Sequence, residues 1–230
     1  MDWHAHVDIY CERVDPSFWA EPLNAVSNAA FILAALWGAY SAAKRQIWFP
    51  SVWLCILLAF LIGTGSFLFH THATVWASLT DVLPIWAFVA TYAVVTIALI
   101  GKATPRSIAI GIVVLVIAGT LLYLFAKAGA PEPEVPHAPS RFNGSEQYLP
   151  AVIAMIIFTS IALWKKHPIR YWFLSATVVF MVSLTFRTFD MAVCEAMPRG
   201  IHFIWHILNG LMIGLLLQAL ILNVKRTPSL

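Results

Sequence analysis

The feature that most restricts this chain is a succession of apolar stretches, each near the 20 or so residues a helix needs to cross a hydrocarbon core about 30 Å thick. They read as 22–43, 47–70, 74–100, 108–125, 148–164, 171–189 and 201–224. Irregular backbone cannot face lipid, because its N–H and C=O groups would go unpaired there. With 60% of residues hydrophobic and 11% charged, most of the chain has no alternative to helix. The expected fold is an all-α membrane protein, a seven-transmembrane-helix bundle that forms one domain over residues 1–230. The fifth stretch is short, and Pro150 lies near its start, in the first helical turn where proline is tolerated.

Lysines and arginines accumulate in cytoplasmic loops close to span ends. Here Lys44 and Arg45 follow the first stretch, and Lys102 and Arg106 lie between the third and fourth. Lys165, Lys166 and Arg170 lie between the fifth and sixth, and Lys225 and Arg226 follow the seventh. Seven spans put these groups on one side, and the 11 acidic residues on the other side or in the span ends beside it. An even number of spans would scatter them. The N-terminal segment 1–21 is therefore expected outside and the C-terminus in the cytoplasm. That segment is polar and carries Asp2, Asp8, Glu12, Asp15 and Glu21, unlike a cleavable leader with its basic start and apolar centre. Residues 129–147 hold Pro131, Pro133, Pro136 and Pro139 and read as an extended outside loop. The compact loops suit a bacterial inner membrane, and no nucleic-acid partner is expected. Cys55 lies in mid-span, whereas Cys11 and Cys194 both map outside, where disulfides persist. A bridge and two unpaired thiols both fit the sequence.

Ionisable groups inside spans are costly and mark sites that face the bundle interior. Ser66 and His70 are four apart in the second stretch, Asp81 lies near the outer end of the third, and His202 and His206 are four apart at the start of the seventh. All fall at similar depth near the outer face. Residues four apart on a helix are rotated by about 40° and displaced by about 6 Å, so His202 and His206 can meet one ion. His70 approaches from an antiparallel span, giving three histidines with a fourth position open, the arrangement of catalytic rather than structural zinc. Zinc so held lowers the pKa of a bound water toward about 7 and polarises a carbonyl. Asp81 is then placed to orient or deprotonate that water, and Ser66 to donate to the water or to a developing oxyanion. The competing reading is a metal-free polar network between helices, since a HxxxH pair alone is a weak signal. His4, His6, His137 and His167 read as wetted interfacial side chains. His72 either joins the site as a ligand or relay, or lies beyond the span end. Arg187 and Asp190, three apart, read as a buried ion pair bracing the seventh span.

The segments GTGSFLFH (63–70), LTDVLP (79–84) and GIHFIWHILNG (200–210) together resemble the alkaline ceramidases. These belong to a superfamily of seven-span metal-dependent lipid hydrolases that includes an adiponectin-receptor-like branch. IYCERVDPSFWAEPLNAVSN (9–28) narrows the likeness to the ceramidase branch. The resemblance covers most of the chain in motif order. It implies zinc on His70, His202 and His206, with Ser66 and Asp81 beside it, and hydrolysis of ceramide to sphingoid base and fatty acid. It also implies a calcium ion on Glu12 and Glu21 with backbone carbonyls, in keeping with calcium's oxygen-rich coordination. An aspartate of the family pattern, three residues before Glu12, falls on Ile9, and the interval between the glutamates is shorter. Asp8 or Asp15 would have to substitute, and a solvated acidic tail is the alternative. Pairing of the matching cysteines implies a Cys11–Cys194 bridge. The expectation is a zinc-dependent amidase acting on ceramide or a related N-acyl lipid. Its rivals are a lipid esterase, since the same activated water attacks esters, and a seven-span receptor with structural zinc. The short cytoplasmic loops carry no evident docking domain, which favours an enzyme.

Tags at residue 1 and within 129–147 should react with membrane-impermeant reagents, and one after Arg226 should not. Protection of the N-terminus would reverse the orientation.

Overall fold

A computed structural model describes residues 2–114, 117, 120 and 142–224. Its helices are α1 (Pro22–Ser27), α2 (Ala29–Lys44), α3 (Pro50–His72), α4 (Val75–Leu99), α5 (Pro105–Val114), α6 (Leu149–Trp164), α7 (Arg170–Phe189) and α8 (His202–Asn223). Short 3₁₀ turns precede α6 and follow α7. No strand occurs among the described residues; an isolated backbone bridge joins His6 to Thr74, pinning the N-terminal segment to the α3–α4 corner. Among the described residues, six helical stretches are long and apolar enough to cross a membrane, α1 and α2 counting as one. The fourth stretch of the sequence reading appears as α5, and most of its remainder, like 121–141 and 225–230, lies outside the described residues.

The first apolar stretch differs from the single helix expected, because it breaks at Asn28. The Asn28 side chain donates to the carbonyl of Asn24 at 2.8 Å, and a side chain competing for backbone partners favours such an interruption. The break leaves α1 as a separate wedge packed against both α3 and α8.

α8 is the axis of the bundle: 67% of its spanning window is buried, and no other described span exceeds 50%. It packs on α7 and α2, while α3 pairs chiefly with α4. The α3–α4 corner is a tight reversal through Ala73, whose left-handed φ of 45° ends α3 while its N–H donates to Phe69 O at 2.8 Å. Within α4, Pro84 has no N–H to offer the carbonyl of Thr80, four residues earlier. That carbonyl lies so close to Gly65 that a Cβ there would sit 1.9 Å from it. Glycine at 65 thus lets the two backbones touch one residue before Ser66 and one before Asp81.

The start of α8 is set by Asp190. Its Oδ1 accepts from the N–H groups of Ile201 and His202 at 2.7 and 2.9 Å, and its Oδ2 from the N–H of Cys11 at 3.1 Å. A carboxylate here satisfies orphan donors and complements the positive end of the helix dipole. Gly200 makes the approach feasible: its φ is +63°, and a Cβ would fall 2.3 Å from Asp190 Oδ1. The Cys11–Cys194 disulfide forms, with Cα atoms 5.4 Å apart, so the N-terminal segment is tied to the α7–α8 connection through Cys11 and to the α3–α4 corner through backbone bonds. The expected Arg187–Asp190 ion pair does not form. Asp190 turns beyond the end of α7 toward α8, while Arg187 Nη1 donates to Tyr10 Oη at 2.7 Å. Its guanidinium lies 5.4 to 5.7 Å from the ring centres of Tyr10, Tyr148 and Trp205, where aromatic faces stabilise a desolvated cation.

Gly65→Ala should lower the thermal midpoint through overpacking, which costs about 1–3 kcal/mol. Gly111→Ala, where a Cβ meets nothing within 4 Å, is the control and should unfold like the parent. Equal midpoints for both variants would contradict the α3–α4 contact.

Candidate metal centre

α8 presents His202 and His206 on one face, a turn apart, and α3 brings His70 to the same place. The three rings are 1%, 2% and 1% exposed for His202, His206 and His70, with centroids 4.6 to 5.4 Å apart. One ring nitrogen from each lies within 4.8 Å of the others. That convergence suits ligation of a single ion, and no carboxylate joins the three-residue group.

Two of the rings have their tautomers set by the wedge helix. At its start, Glu21 Oε2 lies 2.6 Å from His70 Nδ1. A carboxylate only accepts, so Nδ1 carries a proton and Nε2 is the nitrogen left to face an ion. At its end, Ser27 donates its hydroxyl to Asn24 O at 2.9 Å, so its oxygen accepts from His206 Nδ1 at 2.8 Å. Partners of this kind orient imidazoles for ligation and raise their basicity. His202 is held differently, stacked on Tyr10 with ring centres 3.8 Å apart and planes 24° apart. Its buried Nδ1 has no hydrogen-bond partner among the protein atoms described, and an unsatisfied buried group costs about 1–3 kcal/mol. A metal ion fits this set: preoriented, converging ring nitrogens in a buried pocket, with an unpaired ring nitrogen on His202.

Beside the histidines, Ser66 lies next to Asp81, and Asp81 lies within electrostatic reach of His70, Tyr10, Tyr148 and Arg187. An apolar cavity begins at Tyr148 and Trp205 next to this cluster and extends between α4, α6, α7 and α8 past Phe88 to Tyr92 and Phe173.

A family model described as Ceramidase matches residues 5–227. The chain belongs to the ceramidase family. No curated protein matches it. In this ceramidase-family protein the five residues read as the reactive set, Ser66, His70, Asp81, His202 and His206, are brought together. The acidic N-terminal residues fare differently. Glu12 and Glu21 are buried near the start of α1, while Asp8 and Asp15 are exposed. Burial pushes the Glu12 carboxyl up, against the N–H groups of Asn24 and Leu23 that it accepts. His72 is exposed, against the rings of Phe18 and Trp76, outside the cluster. His4 and His6 are exposed, and His167 accepts from Ile169 N–H at 3.2 Å; His137 lies outside the described residues. The sequence reading missed Tyr10, Ser27 and the bond from Glu21 to His70. No local pattern distinguishes them, since the partners are 49 positions apart for Glu21 and 179 for Ser27.

Ser27→Ala should leave the fold intact and weaken metal retention against a competing chelator by about 10–100-fold, the usual cost of losing an outer partner. His202→Ala should carry well below one metal per chain by elemental analysis. Unchanged retention in both would remove the three-histidine assignment.

Proposed function

We propose that this protein is a zinc-dependent hydrolase that cleaves the amide bond of ceramide or a related N-acyl lipid. The observation that carries the reading is the grouping of three buried histidines with Ser66 and Asp81 beside an apolar cavity whose lining includes Tyr148, Trp205 and Asn209, in a chain of the ceramidase family. Three imidazoles with no thiolate suit zinc. When bound, zinc supplies Lewis acidity, which polarises a carbonyl and makes water nucleophilic near neutral pH.

The remaining work falls to the chain. The cavity takes the acyl tail, so that the scissile carbonyl stops beside Tyr148 and Trp205, level with the histidines. Asp81 accepts a proton from the attacking water as the C–O bond forms, and returns it to the amine nitrogen as the C–N bond breaks. The products balance as a fatty acid and a free amine. Ser66, next to Asp81, is the group that would orient this carboxylate. Arg187 lies buried within electrostatic reach of Asp81.

Seven spans fit this reading. α4 ends on the face away from the histidines, since Tyr92 near its end donates to Leu216 O deep in α8. α6 begins on the histidine face, where Tyr148 meets Trp205. One further crossing is needed between them, and α5 starts on the correct side for it. In the seven-span reading the basic clusters lie opposite the metal centre, and the bias of such residues to the cytoplasmic side supports a centre toward the extracytoplasmic face.

Asp81→Asn should keep its metal and lose about 10²–10⁴-fold in turnover, because the amide cannot take a proton. Matched N-acyl sphingoid and ester-linked lipids, offered to one preparation and followed by fatty-acid release, test the substrate. Amide cleavage is expected, and the substitution should hurt it more than ester cleavage, whose leaving group needs less protonation. Ester cleavage alone from fully metal-loaded protein would replace the amidase reading with an esterase.

A further inference from the structure

The resemblance to alkaline ceramidases implies calcium on Glu12 and Glu21, and the fold does bring these side chains close, at the start of α1. The group that stands among the surrounding oxygens is the guanidinium of Arg13, only 6% exposed. Its Nε donates to Glu21 Oε1 at 2.5 Å, and its Nη2 to the carbonyl of His70 at 3.0 Å. Its Nη1 donates to the carbonyls of Asp15 and Ser17 at 3.1 and 3.4 Å. A carboxylate oxygen and several main-chain carbonyls are what a hard cation collects, and here one side chain collects them.

The other carboxylate oxygens are taken as well. Glu12 Oε1 and Oε2 accept from the N–H groups of Leu23 and Asn24, each at 2.8 Å. Glu21 Oε2 accepts from His70 Nδ1 at 2.6 Å and from Asn24 Nδ2 at 3.0 Å. Asp8 is exposed, and Asp15, also exposed, turns Oδ1 back to the N–H of Ser17 at 2.7 Å. Calcium needs about six to eight oxygens, and each carboxylate oxygen of Glu12 and Glu21 already has a protein donor. The residues present do not fit the ion.

We propose that Arg13 is the resident cation of this site and that the protein works without calcium. Its guanidinium closes the 13–21 loop onto the last turn of α3 and fixes Glu21, which in turn orients the His70 ring. Arginine stays charged at any physiological pH, and its planar fork matches several oxygens at once. A cation that exchanges with solvent is thereby replaced by one that is covalently part of the chain. Arg13 is a positioning residue, acting on His70 through Glu21. The proposal does not depend on which bond the protein cleaves, and its test needs no turnover.

The experiment uses purified full-length chain in detergent, with calcium followed by isothermal titration and by the thermal midpoint. Wild type should give no binding heat and no shift up to about 10 mM calcium, beyond the 10⁻³ M of weak extracellular sites. Arg13→Ala should unfold several degrees lower and regain part of the loss when calcium is added, because it vacates the oxygens a cation uses. One calcium bound per wild-type chain, or a rise in its midpoint with calcium, would overturn the proposal, and this arm stands even if the variant fails to fold. An Arg13→Ala protein as stable as wild type and indifferent to calcium would overturn it equally.

Discussion

Three imidazoles buried together inside a membrane bundle are the constraint around which the rest of this structure is arranged. A buried ring that protonates has no water to solvate its charge, and a ring of unspecified tautomer does not present a defined lone pair. The wedge helix α1 answers both requirements at once. It reaches His70 through Glu21 at one end and His206 through Ser27 at the other, while Tyr10 covers His202. The six-residue α1 would be an unstable helix alone, and it is held by being gripped between the two histidine-bearing helices.

Placement then follows from a few backbone contacts. In lipid no apolar driving force favours helix against helix over helix against tail, so association depends on close packing and hydrogen bonds. Gly65 lets α3 touch α4 where Pro84 has freed the Thr80 carbonyl, which draws Ser66 toward Asp81. Asp190 sets the first turn of α8 and fastens Cys11 to it, so the histidine helix and the N-terminal cap are aligned by one carboxylate. The Cys11–Cys194 bridge, closing across 183 positions, secures the same corner.

Much of the reactive set was legible in the sequence, because polar residues inside apolar stretches are few and each has to be explained. The four-residue spacing of His202 and His206, and the depth of His70 and Asp81, follow from helical geometry alone. The sequence alone left the pairing of Cys11 and Cys194 open beside two free thiols, and the resemblance pointed to the bridge that forms. The supports were not readable, since a bond such as Ser27 to His206 joins residues brought together by folding and leaves no local mark. Arg187 and Asp190 show the limit of spacing as a guide: three apart on a helix suggests a pair, but the helix ends between them at Phe189, and each finds a different partner. Arg13 was passed over because a single arginine in an acidic segment reads as ordinary surface charge until its four acceptors are seen.

X-ray absorption at the zinc edge of the purified chain tests the central claim most directly, since it reports ligand type and distance without reference to any substrate. Three imidazole nitrogens and one further light atom at about 2.0–2.1 Å, with no sulfur near 2.3 Å, are the coordination predicted. A shell containing sulfur, fewer than three imidazoles, or no bound zinc at all would contradict the account.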